Sequence, residues 1–154
     1  MTTTPETEAH GPVDFVLLEF PVSGLTGQAS EELVKLVEQG VIRLFDLLVV
    51  MKNDDGSVEV LELTDPGGPA AGFSYFEGAR TGLLGDDDIA EASAALLPGT
   101  VAALIVYENT WAAPFVAAVR DSGGELIAST RIPAPDVMEA LDALDVAAPP
   151  VADA

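Results

Sequence analysis

Residues 100–107 read TVAALIVY, and residues 14–21 read DFVLLEFP. Both are short, rich in β-branched and large apolar residues, and apolar at odd and even positions alike. A strand that buries only one face alternates, so these two read as interior strands of a sheet. Each is followed by a helical stretch and a second strand. Residues 14–21 lead through a helix to 41–52 (VIRLFDLLVVMK), and residues 100–107 lead through another to 124–132 (GELIASTRI). One strand–helix–strand unit is thus used twice.

Between the units lie further punctuation marks. Ser30-Glu31-Glu32 is expected to cap the first helix, with its acidic pair at the positive end of the helix dipole, and Gly40 to end it. Asn53-Asp54-Asp55-Gly56 predicts a hairpin into residues 57–63, SVEVLEL. Residues 65–85 are rich in glycine and aromatic residues, and so long a connection is expected to be functional or mobile. Asp86-Asp87-Asp88 opens a helix to about residue 97, stopped by Pro98-Gly99. Asn109 or Thr110 is expected to cap a helix over 111–121. Pro133 breaks the last strand, and Val137, Met138, Leu141 and Leu144 make one apolar side of a final helix over 136–144.

The element order is β α β β, loop, α β α β α. Two split βαβ units predict an α+β fold: a ferredoxin-like antiparallel sheet with an extra hairpin strand and two additional helices. The strands at 15–20 and 100–107 should be its middle pair. Crossover helices cover one face only, so the other apolar face needs an added helix or a second copy of the chain. The expected domain spans 12–145, with the loop at 65–85 inside it and tails at 1–11 and 146–154.

Composition bounds the function. The 154 residues carry 26 acidic and six basic side chains, for a net charge of −20. Phosphate backbones require clustered Lys and Arg, and here these are scattered, so nucleic acid is not an expected partner. Anionic membrane surfaces are disfavoured by the same sign. The longest apolar runs, such as 47–51 and 101–106, are too short to span a bilayer. The absence of cysteine removes disulfides and thiol chemistry and points to a reducing cytoplasm. The start, MTTTPETEAH, has neither the basic region nor the apolar run of a signal peptide.

No residue set carries a catalytic claim. His10 is the only histidine and falls in the expected N-terminal tail, which leaves no base for a Ser–His pair. Ser74 lacks the nucleophile-elbow frame and no Walker-type glycine loop is present. Asp86, Asp87 and Asp88, with Asp54 or Asp55, could gather a divalent cation, but acidic residues at a helix start ordinarily serve as caps. No metal or cofactor is expected. Asp46 inside an apolar strand reads as an ion-pair member with Arg43 or as a solvent-facing residue on the open sheet face.

The most site-like segment is Tyr107-Glu108-Asn109-Thr110-Trp111, where an interior strand hands over to a helix. Trp111, Tyr107 and Asn109, with Phe73, Tyr75, Phe76 and Arg80 of the glycine-rich loop, form the candidate ligand or partner surface. The plainer reading has Trp111 packing over the sheet edge or that loop.

The strings VIRLFDLLVVMKNDDGSVEV, the Asp86–Asp88 helix start, LLPGTVAALIVYENTW and GGELIASTRIP together resemble an uncharacterised actinobacterial family of ferredoxin-like domains of unknown function. That family is related to one described as predicted membrane proteins with a glycine-rich apolar insert. In this chain the insert is only 65–85, contains Ser74, Glu77 and Arg80, and cannot cross a membrane. The resemblance implies the fold and no established activity. The functional expectation is a non-enzymatic, acidic domain that acts by association, as a homodimer or a regulatory or scaffold module. The alternative is a small-molecule-binding or enzymatic domain resembling the dimeric α/β-barrel proteins.

Overall fold

The computed structural model describes residues 10–22, 27–65, 68 and 70–147. Its sheet is organised around the segment that reads most apolar. Strand β1 (Val13–Pro21) is followed by helix α1 (Gln28–Glu38), strand β2 (Arg43–Lys52) and the short strand β3 (Val58–Val60). A 3-10 turn (Ala71–Phe76), helix α2 (Asp86–Ala95) and strand β4 (Thr100–Glu108) come next, then helices α3 (Ala113–Asp121) and α4 (Ala134–Ala147). The strand order is β1-β4-β2-β3, and every pairing is antiparallel.

Because β1 and β2 both run antiparallel to β4, they are parallel to each other, with β4 inserted between them. The first split βαβ unit is therefore formed. The second is not: residues 122–133 contain no strand. The α+β class holds, with a four-stranded antiparallel sheet and four α-helices among the described residues, but the fourth strand is the hairpin β3 and not residues 124–132. As a consequence β4 is interior, as expected, while β1 lies at the edge. Val13, Phe15 and Leu18 on it are 49%, 50% and 41% exposed. The unpaired segment alternates Leu126, Ala128 and Ile132 with Ile127, Ser129 and Arg131. Half its side chains are polar or small, so it gains little from pairing unless a flank stands ready to cover the apolar half.

Two cores result from the two-sided strands. Val101, Ala103 and Ile105 of β4 join Leu47 and Val49 of β2 on one face. Leu33, Val34 and Val37 of α1 and the buried Phe73 and Phe76 of the 3-10 turn complete that layer. Ala102, Leu104 and Val106 join Leu48 and Val50 on the other face, beneath Leu84, Ile89, Ala92 and Leu96. The face expected to lie open is covered at its centre by α2. The added helix supplies that cover, and no second copy is needed there.

Local chemistry fixes the elements. α1 starts earlier than Ser30: Gly27, at φ 91°, precedes it, and the buried Ser30 hydroxyl donates to the Gly27 carbonyl at 2.9 Å from inside the first turn. The predicted hairpin forms, with Gly56 at φ 88° and the Asn53 amide donating to the Ser57 carbonyl at 2.8 Å. Lys52 reaches the far end of α2, donating to the carbonyls of Ser93 (2.6 Å) and Leu96 (3.1 Å). A cation there satisfies carbonyls that the helix itself leaves unpaired. The caps expected before α3 differ too. Thr110 donates to the Gly40 carbonyl at 2.9 Å, and a 3-10 turn over Thr110–Ala112 leads into α3.

The tails expected at 1–11 and 146–154 fall mostly outside the described residues. The exceptions are 146–147, inside α4, and His10 and Gly11. Gly11 is buried, its amide donating to Glu108 at 2.9 Å.

Candidate functional site

The end of β4 gathers polar side chains from three parts of the chain. Arg131 donates from Nη2 to Asp14 Oδ2 and to the Tyr107 hydroxyl, each at 2.6 Å. Asn109 Nδ2 donates to Asp14 Oδ2 at 2.8 Å and to the Pro12 carbonyl at 2.9 Å. Trp111 Nε1 donates to Asn109 Oδ1 at 3.3 Å. Antiparallel pairing places Asp14 directly across from Tyr107, and this register, invisible to a motif search, assembles the cluster. A groove of about 570 Å³ runs alongside, lined by Val13, Asp14, Asn109, Trp111, Arg131 and Ile132 among others.

Of the residues singled out from sequence, Tyr107, Asn109 and Trp111 meet here. Trp111 is 65% exposed, so it does not serve as packing over the sheet edge or loop. Phe73, Tyr75, Phe76 and Arg80 lie elsewhere. Phe73 and Phe76 are core residues under α1, and Tyr75 stands edge-on to Phe76 with ring centres 5.0 Å apart. Arg80 borders a separate cleft of about 100 Å³ beside β2 and residues 60–63. Asp14 and Arg131 were missed. Single charges in otherwise ordinary strand patterns carry no signal until pairing brings them together.

Asp46 has a different role from either one expected. It is fully buried at a bulge, where the register of β2 against β4 slips between Leu44 and Asp46. Its two oxygens accept the amides of Thr81 (2.5 Å) and Leu84 (2.8 Å), while the Leu47 amide donates to the Ala79 carbonyl at 3.0 Å. Burial pushes its pKa up, but hydrogen bonds from Leu84, Thr81 and Gly82 outweigh this and hold the carboxyl below the ordinary aspartate value. Arg43 makes no ion pair with it; its guanidinium lies over the Phe45 ring, 5.4 Å from the centroid. Asp46 is the staple that fastens the glycine-rich segment to the sheet, and Ala70, Phe73, Phe76 and Leu84 of that segment are core residues.

Two of the remaining acidic candidates make local turn and cap bonds. Asp88 Oδ2 accepts the Gly85 amide at 2.8 Å at the start of α2. Asp55 accepts the hydroxyl and amide of Ser57, which hold its carboxyl below the ordinary range. Among the described residues, no three His, Asp or Glu side chains converge as a metal site would require. His10 is not remote: its Nδ1 lies 3.8 Å from Glu108 Oε2. Among the described residues no helix is long and apolar enough to cross a membrane.

The longest feature without a structural account lies beyond this cluster. Every residue from 121 to 145 is exposed, including the large apolar Leu126, Ile127, Ile132, Val137, Met138, Leu141 and Leu144.

No curated protein and no solved structure matches the chain. One family does, over residues 9–148. The chain therefore belongs to the Family of unknown function (DUF6325).

Proposed function

We propose that the chain is an association domain whose partner is a second copy of itself, and that the contact is built from the outer edge of β1 and the segment after α3. The supporting observation is the exposure of residues 121–145. An isolated helix of 14 residues, the length of α4, is marginal in water, and helices in proteins owe their stability to packing an apolar side. Yet Val137, Met138, Leu141 and Leu144 of α4 are all exposed. β1 in turn offers an unpaired edge without lysine or bulge, the kind of edge that proteins ordinarily protect. A reducing, cytoplasmic setting fits the cysteine-free sequence. Sedimentation equilibrium of the full chain tests the reading. A dimer populated at tens of micromolar is expected, and a monomer persisting at several hundred micromolar refutes it.

A second reading has one observation in its favour. The groove beside Trp111 has the volume of a small-molecule site, with the Asp14, Asn109 and Arg131 groups converging on an apolar wall. It holds no nucleophile paired with a base, so this reading is of a binding site without chemistry. Titration of Trp111 fluorescence with a metabolite library checks it. No saturable change with any compound removes it.

A further inference from the structure

We infer that the self-association proceeds by exchange of arms: residues 125–132 of each copy pair as an additional strand on the β1 edge of the other, and α4 follows as cover for that flank. This rests on the association reading above and specifies its geometry.

The register comes from a contact already present. Arg131 meets Asp14 at 2.6 Å. If residue 131 faces residue 14 in an antiparallel pair, Ser129 faces Val16 and Ile127 faces Leu18 on one side of the sheet. On the other side Ile132 faces Val13 and Ala128 faces Leu17. Ile127 is 84% exposed, Ile132 66%, and their counterparts Leu18 and Val13 41% and 49%. Two of the pairs in this register, Ile127 with Leu18 and Ile132 with Val13, thus join four of the apolar side chains the single chain leaves in water. A one-residue slip would set Ile127 against Glu19 or Leu17 and move each side chain to the wrong face.

The occupant is a second copy for two reasons. Within one chain Arg131 already reaches Asp14, yet residues 125–130 remain unpaired and α4 uncovered. The extent also matches: the 9 residues of β1, residues 125–132 and the four exposed apolar residues of α4 come to about 20 residues a side, the lower bound of a stable interface. Ser122-Gly123-Gly124 provides the hinge, with Gly123 at φ 83°, and mutual exchange is a low-cost route to a closed two-fold dimer. The inserted strand would restore the second split βαβ unit and make β1 interior.

The sequence has no cysteine, so single cysteines report position without interference. A tagged full-length chain carrying Leu18→Cys is mixed with an untagged chain carrying Ile127→Cys and oxidised gently. A disulfide-linked heterodimer is expected, because opposed strand residues meet disulfide geometry. A dimer by sedimentation with no such link overturns the exchange and leaves self-association standing. A monomer overturns both, and a chain carrying both cysteines that closes on itself then shows the arm pairing at home. Ile127→Asp, a change at a solvent-exposed site, is expected to weaken the dimer at least tenfold while circular dichroism stays unchanged. An unaltered dimer overturns the proposed register.

Discussion

Replacing Asp46 by asparagine probes what holds the glycine-rich segment to the sheet. The substitution keeps shape and burial but exchanges one acceptor oxygen for an NH2 group. The buried carboxylate accepts the Thr81 and Leu84 amides on separate oxygens, and hydrogen bonds to a charged group contribute about 1.5–3 kcal/mol each. Asparagine retains one of them and sets donor against donor at the other. The Leu84 side is buried, so a loss there is not repaired by water. The expected cost is about 2–3 kcal/mol, a large share of the roughly 5–15 kcal/mol that stabilises a domain. In urea, with a slope of about 1–3 kcal/mol per molar, the midpoint should fall by about 1–2 M.

The pH dependence has a definite sign. The native carboxyl of Asp46 is held below its ordinary value, whereas in the unfolded chain it titrates near 3.9. Its contribution is complete above the unfolded value and disappears as pH falls through the native one, because the unfolded state takes up the proton first. The wild-type advantage over Asp46→Asn should therefore be full at neutral pH and shrink below about pH 4. Hydrogen exchange at Thr81 and Leu84 should accelerate in the variant. A midpoint within about 0.5 kcal/mol of wild type, with both amides still protected, would refute the staple.

Three further outcomes are expected. Gly11→Ala would drive a Cβ into the Asn109 carbonyl and should cost about 1–3 kcal/mol in thermal unfolding; an unchanged melting temperature would count against the clamp on Glu108. Lys52→Met removes the cation from the Ser93 and Leu96 carbonyls and should cost about 1–2 kcal/mol, seen as faster exchange at the end of α2. Self-association of a chain with net charge −20 works against like-charge repulsion, so the dimer should tighten as sodium chloride rises from about 20 mM toward 0.5 M. Sedimentation at the two salt levels decides it.

Much of the scaffold was legible because its causes are local. The both-sided apolar run of β4 required an interior strand, Asn53–Gly56 required a turn, and three aspartates followed by an alanine-rich stretch required a helix. The site was legible in part. Tyr107, Asn109 and Trp111 lie within five residues, at a strand-to-helix junction that sequence can recognise. Their partners Asp14 and Arg131 are 117 positions apart, and only strand pairing makes them neighbours. Asp46 shows the reverse difficulty. A carboxylate in an apolar strand is conspicuous, but an ion pair, a solvated position and a backbone staple look alike until the bulge and the loop are placed.

By itself, then, the order of apolar and polar residues determined which segments become strands and helices, and that the chain is a mixed α+β domain. Tertiary structure decided which strand lies at the edge, that α2 and not a second copy covers the far face, and that Phe73 and Phe76 of the aromatic loop are core. Periodicity records only how many faces of a segment must leave water. Which neighbour receives each face depends on contacts between residues far apart in the chain, and a local pattern does not encode those.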